Sequence, residues 1–142
     1  MGLEPASPPT QPLRVLIVDD SPIFRRFIHW VLGQKQDFQV VGEACDGLEA
    51  LQKAEELKPD LILLDIGLPN LDGLEVAKRV HQVAPSSKIL FVTMHRDADI
   101  VQAALSNGAM GYVLKSDAGD ELLAAIEAAL QGTRYVSSGL DR

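Results

Sequence analysis

Short apolar segments of this sequence end in residues that could bind a metal ion or a phosphoryl group. RVLIV is followed by Asp19 and Asp20, and LILL is followed by Asp65. ILFV leads into Thr93, and GYVL leads into Lys115. Continuous apolar runs are typical of strands in a parallel sheet that is covered on both faces. Because the carboxyl ends of such strands border one crevice, we expect these five side chains to converge there.

The three acidic residues predict a divalent cation. Carboxylates packed close together repel one another unless a proton or a cation lies between them. One or two carboxylates, a main-chain carbonyl and several waters suit Mg²⁺ better than Ca²⁺, which prefers more protein oxygens. Mg²⁺ held by Asp19, Asp20 and Asp65 keeps open positions for phosphoryl oxygens, to which Lys115 adds a positive charge and Thr93 a hydrogen bond. Asp65 is then the candidate nucleophile that forms an acyl phosphate.

The elements that must position these residues alternate along the chain. Apolar runs at 14–18, 38–44, 61–64, 88–92 and 110–114 predict five strands. Segments of helical periodicity predict five helices, which begin near Ser21, Asp46, Asp72, Ala98 and Asp117. Asp46 and Glu49 have the spacing of a capping box, and Asp117 is predicted to cap the fifth helix. This alternation predicts an α/β fold, a flavodoxin-like, doubly wound, five-stranded parallel sheet in the order 2-1-3-4-5 with five helices.

Length and composition leave room for one domain. The chain has 142 residues, of which 46% are apolar. Residues 1–12 hold four of the eight prolines and no periodic pattern, which predicts a disordered N-terminal tail. We expect the folded domain at 13–132, and a C-terminal tail or the start of a linker to an effector domain at 133–142.

Charge and hydropathy argue against two function classes. A net charge of −7 disfavours direct contact with nucleic acids or anionic membranes. The longest apolar run, Leu122 to Ile126, has five residues, whereas a membrane span needs about 20. No basic region followed by an apolar stretch opens the sequence, so we expect no secretory signal and a cytoplasmic location.

Four motifs together resemble those of one signalling family. VLIVDDSPIFR, LILLDIGLPNLDG, ILFVTMH and GYVLK, in this order and spacing, are similar to the motifs of the receiver domains of two-component response regulators. The resemblance runs from about Leu13 to Gly132 and implies the CheY-like version of the predicted fold. It also implies that Asp65 is the phosphoacceptor and that Asp19 and Asp20 are the acidic pair that binds Mg²⁺.

The same resemblance assigns four further roles. It makes the main-chain carbonyl of Gly67 another Mg²⁺ ligand, Lys115 the cation that binds the phosphoryl group, Thr93 the switch hydroxyl and Tyr112 the switch aromatic. In this family a sensor histidine kinase donates the phosphoryl group, and the receiver then changes the surface around its fourth helix, fifth strand and fifth helix. We therefore expect a signalling module rather than an enzyme with a metabolite substrate, and the resemblance allows a homodimer on phosphorylation.

The C-terminal third narrows the resemblance and also departs from it. GYVLKSDAGDELLAAI and TRYVSSGL are similar to the NarL/LuxR class, whose receivers precede a helix-turn-helix domain. We expect either a stand-alone receiver or one that contacts DNA only through an effector domain absent from this sequence.

Ser116 follows Lys115 where many receivers have proline, so the usual cis peptide is in question. Met94 is bulkier than the common residue after Thr93, and we expect it to narrow access to the phosphoryl group.

Two other function classes fit parts of the pattern. A Mg²⁺-dependent phosphohydrolase with an aspartyl nucleophile would carry a second acid or base aspartate soon after the first, and Asp65-Ile66-Gly67 lacks it. A flavodoxin-like module that binds a flavin phosphate would need a loop rich in Ser, Thr or Gly after the first strand. Asp19 and Asp20 at that place would repel a phosphate that carries no metal.

The remaining noteworthy side chains receive simpler interpretations. Trp30 lies on the apolar stripe of the first helix and is predicted to be core. Cys45 is predicted to be a small apolar residue near a strand end. His95 follows Thr93 by two residues, where it could influence how fast water attacks the acyl phosphate. Arg25 and Arg26 are interpreted as solvated helix charges.

Overall fold

The structure, a computed structural model, describes residues 11–140 as one sheet flanked by helices. The six strands are parallel and lie in the order β2-β1-β3-β4-β5-β6. They are β1 (Leu13–Val18), β2 (Phe38–Ala44), β3 (Leu61–Leu64), β4 (Lys88–Thr93), β5 (Gly111–Leu114) and β6 (Tyr135–Val136). The helices are α1 (Pro22–Leu32), α2 (Gly47–Leu57), α3 (Gly73–Val83), α4 (Ala98–Ser106) and α5 (Ala118–Leu130), and a 3₁₀ turn (Lys115–Asp117) joins β5 to α5. Among the described residues, no helix is long and apolar enough to cross a membrane.

The sheet differs from the prediction by one strand. The predicted order of the first five strands, 2-1-3-4-5, is confirmed, but the five-stranded count is wrong because β6 pairs with β5. A strand of two residues is too short to show the apolar pattern on which strand prediction depends. β6 lies inside the 133–142 segment. Residues 1–10 of the predicted N-terminal tail, together with 141–142, lie outside the described residues.

The sheet is buried on both faces because neighbouring side chains of each strand enter different cores. In β1, Val15 and Ile17 pack with apolar residues of α1 and α5. Leu16 and Val18 pack on the opposite face with residues of α2, α3 and α4. All four side chains of β3 are buried, as are those of β5. Burial of one such side chain contributes about 1.5–3 kcal/mol, so the helices are held firmly against the strands.

Side-chain caps begin the helices close behind the strand ends. Ser21 Oγ accepts a hydrogen bond from the Phe24 N–H at 3.1 Å, which starts α1 with only three residues between it and β1. Asp46 Oδ1 accepts from the Glu49 N–H at 2.8 Å, and the Glu49 carboxylate accepts in return from the Cys45 N–H at 2.8 Å. This reciprocal pair resembles the predicted capping box, shifted by one residue at its return bond. The caps therefore fix the loops that border the crevice.

Asp117 does not cap α5 as predicted. The Asp117 side chain makes no capping hydrogen bond to that helix. It accepts instead from the Ser137 hydroxyl and from the Gly139 N–H, the latter at 3.1 Å. Glu121, one turn further along α5, accepts from the Tyr135 hydroxyl at 2.8 Å. The two carboxylates thus hold β6 and the residues after it against β5 and α5, a long-range role that local capping rules do not anticipate.

The structure contradicts one further prediction about a side chain and part of another. Trp30 is 64% exposed, because α1 turns Ile28, Val31 and Leu32 toward the sheet. A residue two positions after Ile28 points away from that buried side. The Trp30 ring stacks instead on Phe27, with ring centroids 6.1 Å apart. Cys45 directly follows β2, as predicted, but it is exposed and its thiol donates to Glu49 Oε1 at 3.3 Å instead of packing as an apolar group.

We predict that Glu121→Gln destabilises the fold, because the carboxylate also accepts from the Ser138 N–H at 3.1 Å. An amide keeps only one acceptor oxygen, so we expect a loss of about 1–2 kcal/mol in the free energy of unfolding near pH 7. Glu127→Gln, on an exposed position of the same helix, is the matched control. Urea denaturation of both variants measures the difference, and equal stabilities would contradict this role for Glu121.

The same variant carries a pH prediction. The Ser138 hydroxyl and N–H lower the pKa of Glu121 below its ordinary 4.5. A group with a lowered folded pKa stabilises the protein above its unfolded pKa, and this stabilisation is lost as the pH falls through the folded value. We therefore expect the gap in the free energy of unfolding between wild type and Glu121→Gln to be full near pH 7 and to shrink as the pH falls below 4.5. A gap that widens on acidification would contradict the assignment.

Candidate functional site

Three carboxylates meet at the carboxyl end of the sheet. Asp19 and Asp20 follow β1, Asp65 follows β3, and one oxygen from each carboxylate lies within 4.8 Å of the others. Asp19 and Asp65 are buried, whereas Asp20 is exposed. The structure thus brings together the three acidic residues that the sequence predicts to converge, and leaves the cluster accessible on the side of Asp20.

Main-chain hydrogen bonds continue the sheet beyond the strand ends and place two of these residues. The Asp19 N–H donates to the Ala44 carbonyl at 3.0 Å, and the Asp65 N–H donates to the Val18 carbonyl at 3.1 Å. Each carboxylate also accepts locally, since Asp19 Oδ1 accepts from the Ser21 N–H at 2.8 Å and Asp65 Oδ1 from the Ile66 N–H at 2.7 Å. These bonds fix the two side chains with the Oδ2 atoms turned toward one cation.

That cation is the ammonium group of Lys115. Its Nζ lies 2.8 Å from Asp19 Oδ2 and 3.2 Å from Asp65 Oδ2. It also lies 4.5 Å from the ring centroid of Phe24, whose face favours a positive charge. Burial alone acts to lower the pKa of Lys115, but the hydrogen bond and charge of Asp19 and the charge of Asp65 raise it above its ordinary value. Lys115 is therefore held as a charged bridge.

The electrostatics of Asp19 favour additional positive charge. Burial raises the pKa of Asp19, and this effect outweighs the hydrogen bonds from Lys115 and Ser21. The charge of Asp65 acts in the same direction as burial. A desolvated carboxylate beside a second one gains more from a bound cation than an exposed carboxylate does. The donor set, three carboxylates with one exposed member, fits a hard divalent cation that keeps several water ligands.

Thr93, at the end of β4, and Tyr112, in β5, both contact the segment that follows β4. Both side chains are fully buried. The Tyr112 hydroxyl donates to the His95 carbonyl at 2.8 Å, and Thr93 Oγ1 accepts from the His95 N–H at 3.5 Å. Burial, with the charges of Asp65 and Asp97, raises the pKa of Tyr112. The phenol is thus a permanent donor that holds the main chain after β4.

Residues 67 and 95 face each other across the mouth of the site. Gly67 is exposed, and a Cβ atom there would lie 3.2 Å from His95 Nε2, so a side chain would crowd the imidazole. Met94 is 71% exposed and extends into solvent. The Lys115–Ser116 peptide bond is trans, like every other peptide bond of residues 11–140.

Two residues that support the acidic cluster were not predicted to do so from the sequence. A Cβ at Gly73 would lie 2.1 Å from the Asp65 carbonyl oxygen, so only glycine lets α3 begin against the main chain of Asp65. Asp72, which caps α3, marks this position in the sequence but not the close approach. Arg25, interpreted as a solvated charge, has a side chain only 19% exposed and donates to the Asp19 carbonyl. No local pattern signals that contact.

Comparisons of this chain with known proteins point to one family. The family model described as the response regulator receiver domain matches residues 15–127. Oxygen regulatory protein NreC of Staphylococcus aureus is 36% identical over 129 residues, which cover 90% of this chain and 59% of NreC. The chain thus spans little more than half the length of that relative.

Solved structures of response regulators are similar to this chain over nearly its whole length. The crystal structure of a LuxR-family two-component response regulator from Aurantimonas sp. SI85-9A1 superposes with a TM-score of 0.86 at 35% identity, covering 92% of this chain and 93% of that one. The isolated REC domain of RcsB from Salmonella enterica serovar Typhimurium, determined in the presence of the phosphomimetic BeF₃⁻, gives 0.83 at 29% identity. Its match covers 89% of this chain and 94% of the RcsB chain.

We predict that Asp20→Asn stabilises the metal-free protein and weakens its response to Mg²⁺. Removing one of three mutually repelling carboxylates should raise the free energy of unfolding by up to about 1 kcal/mol. Wild type should gain about 2.7 kcal/mol when free Mg²⁺ is a hundred times its dissociation constant, and the variant should gain less at the same concentration. Thermal unfolding with and without Mg²⁺ measures both effects.

Glu55→Gln is the matched control, since Glu55 is exposed on α2 and its substitution removes the same charge. This control should respond to Mg²⁺ as wild type does. An Asp20→Asn protein that retains the full wild-type response would remove Asp20 from the metal site.

Proposed function

This chain belongs to the response regulator receiver domain family, and from that premise we propose that its Asp65 accepts a phosphoryl group in a Mg²⁺-dependent reaction. The protein is a receiver domain of the two-component type, a signalling module related to NarL/LuxR-class regulators. The observation that carries the proposal is the meeting of Asp65 with Asp19, Asp20 and the Lys115 ammonium at one end of the sheet.

The residues that would hold Mg²⁺ are the three carboxylates, Asp19, Asp20 and Asp65, with the main-chain carbonyl of Gly67. Their chemistry supports the assignment, because all four offer hard oxygen atoms and the exposed side of the cluster admits water. The ion, when bound, offsets the negative charge of the transferring phosphoryl group.

The side chains of this chain perform the rest of the transfer. The Asp65 carboxylate, fixed by the Ile66 N–H, attacks phosphorus and forms an acyl phosphate while the bond from phosphorus to the donor nitrogen breaks. The electron pair of that bond stays on the donor imidazole. Lys115 already contacts Asp65 Oδ2, so its ammonium is available to a phosphoryl oxygen without a large movement.

The buried pair Thr93 and Tyr112 would convert phosphorylation into a change of surface. In our proposal the Thr93 hydroxyl moves to a phosphoryl oxygen and draws the segment after β4 with it. The Tyr112 hydroxyl donates to His95 in that segment, so the movement breaks or re-forms this bond. The surface formed by α4, β5 and α5 then differs between the two states, which is a shift of population between conformations. His95, beside Gly67, would affect how fast water reaches the acyl phosphate.

The partners follow from the proposed chemistry. The phosphoryl donor would be the phosphohistidine of a sensor histidine kinase in the same compartment, which we propose is the cytoplasm. The output would be regulation of transcription through a separate or attached helix-turn-helix domain, since the receiver itself carries a net charge of −7. We propose 13–132 as the receiver and 133–142, whose strand β6 pairs with β5, as a connection toward such a domain. We also propose a homodimer in the phosphorylated state.

Intact mass spectrometry tests the phosphoacceptor. Wild type incubated with Mg²⁺ and a small acyl phosphate should gain a single phosphoryl group, and Asp65→Asn should gain none because an amide is not a nucleophile here. Asp37→Asn, at an exposed loop position, should label as wild type does. Equal labelling of wild type and Asp65→Asn would remove Asp65 from its role, and steady turnover of phosphate esters would favour a hydrolase.

A further inference from the structure

Arg25 joins the turn that carries the acidic pair to the end of the neighbouring strand. From the first half of α1, its Nη1 donates to the Asp19 carbonyl at 2.7 Å. Its Nε donates to Glu43 Oε1 in β2, also at 2.7 Å. A planar guanidinium can satisfy two acceptors from two different nitrogens, which a lysine ammonium cannot do with the same geometry. We call this arrangement the Arg25–Glu43 bridge.

We propose that Arg25 is a positioning residue: the Arg25–Glu43 bridge holds the main chain at Asp19 and Asp20 so that both carboxylates face one cation. This inference rests on the proposed Mg²⁺ site. The other bonds of Asp19 come from its N–H and its carboxylate, so the bond to its carbonyl fixes the turn from a third direction. Asp20 follows directly, and its exposed side chain depends on that turn for its direction.

The Glu43 carboxylate offsets the positive charge that Arg25 brings close to the proposed cation site. A positive charge beside a cation site opposes cation binding, but the Glu43 carboxylate neutralises Arg25 at 2.7 Å. Glu43 is itself held by His29, whose Nε2 lies 2.6 Å from Oε2, and Lys53 donates to its main-chain carbonyl. The hydrogen bond with His29, followed by that with Arg25, lowers the pKa of Glu43 against the opposing effect of burial. Glu43 therefore remains ionised near neutral pH.

A role of Arg25 as a positive charge and a role in positioning the turn predict opposite effects of Arg25→Gln on Mg²⁺ binding. If Arg25 acted only as a positive charge, its removal would strengthen Mg²⁺ binding. If it positions the turn, its removal weakens binding, because the carboxylates must be ordered when the ion binds. Arg26→Gln is the matched control, since Arg26 is the exposed next residue of the same helix and the change in net charge is identical.

The first measurement needs neither metal nor phosphoryl donor. Hydrogen exchange followed by NMR monitors the amides of Asp19 and Ser21, which bond to the Ala44 carbonyl and to Asp19 Oδ1. We expect exchange at both amides to accelerate about tenfold in Arg25→Gln and to remain at the wild-type rate in Arg26→Gln. Equal exchange in the two variants would overturn the proposal.

The second measurement is Mg²⁺ binding by calorimetry, followed by labelling with a small acyl phosphate. For Arg25→Gln we expect the Mg²⁺ dissociation constant to rise about threefold to tenfold. The labelling rate at saturating Mg²⁺ should stay within about twofold of wild type, a split that a general loss of folding would not produce. Glu43→Gln, which keeps an acceptor oxygen but loses the charge, should weaken Mg²⁺ binding while leaving the two amides protected. Binding by Arg25→Gln as tight as wild type would overturn the proposal.

A further variant and the separate measurements distinguish failure of this proposal from failure of folding or of the proposed function. If Arg25→Gln does not fold, Arg25→Lys retains the charge and should show intermediate exchange and intermediate Mg²⁺ binding, whereas wild-type values in both would overturn the proposal. If wild type takes up no phosphoryl group, the proposed function fails, while amide exchange and calorimetry still test the bridge.

Discussion

At the carboxyl end of the sheet, the structure depends on the balance between three carboxylates and one ammonium group. Three carboxylates lie close together, two of them buried, and the Lys115 ammonium bridges the two buried ones. Without positive charge this cluster would oppose folding, because desolvated like charges repel strongly. The same deficit of positive charge makes the cluster receptive to a cation and, in the proposed function, to the charge rearrangement of phosphoryl transfer. Stability and reactivity thus have a common electrostatic origin.

Burial of the strands on both faces of the sheet stabilises the fold and offsets the cost of placing these carboxylates close together. Alternate residues of β1 enter two separate cores, so the position of the strand end is fixed by packing on each side. Asp19 and Asp65 extend the main-chain ladder past the strands, while glycine at 73 lets α3 start against Asp65. The carboxylates are therefore carried by well-packed elements, and the segment after β4 is held by the hydrogen bond that the Tyr112 hydroxyl donates to the His95 carbonyl.

The strand order and the meeting of the acidic residues could be predicted because both follow from local patterns. Continuous apolar runs identify parallel strands, and residues after them must lie at one edge. Other features arise from contacts between distant residues. β6 is held by Asp117 and Glu121 rather than by apolar pattern, and Trp30 faces solvent because Ile28 and Val31 decide which side of α1 is buried. The contact of Arg25 with the Asp19 carbonyl likewise has no signature in neighbouring residues.

A shared cation site can be tested by titrating ¹³C-labelled protein with Mg²⁺ while NMR follows the side-chain carboxyl carbons of the aspartates. If one ion binds all three groups, the signals of Asp19, Asp20 and Asp65 shift together with one half-saturation concentration, and that of the exposed Asp37 stays unchanged. Three different half-saturation concentrations, or signals of Asp19 and Asp65 that do not respond while Asp20 does, would contradict a common site.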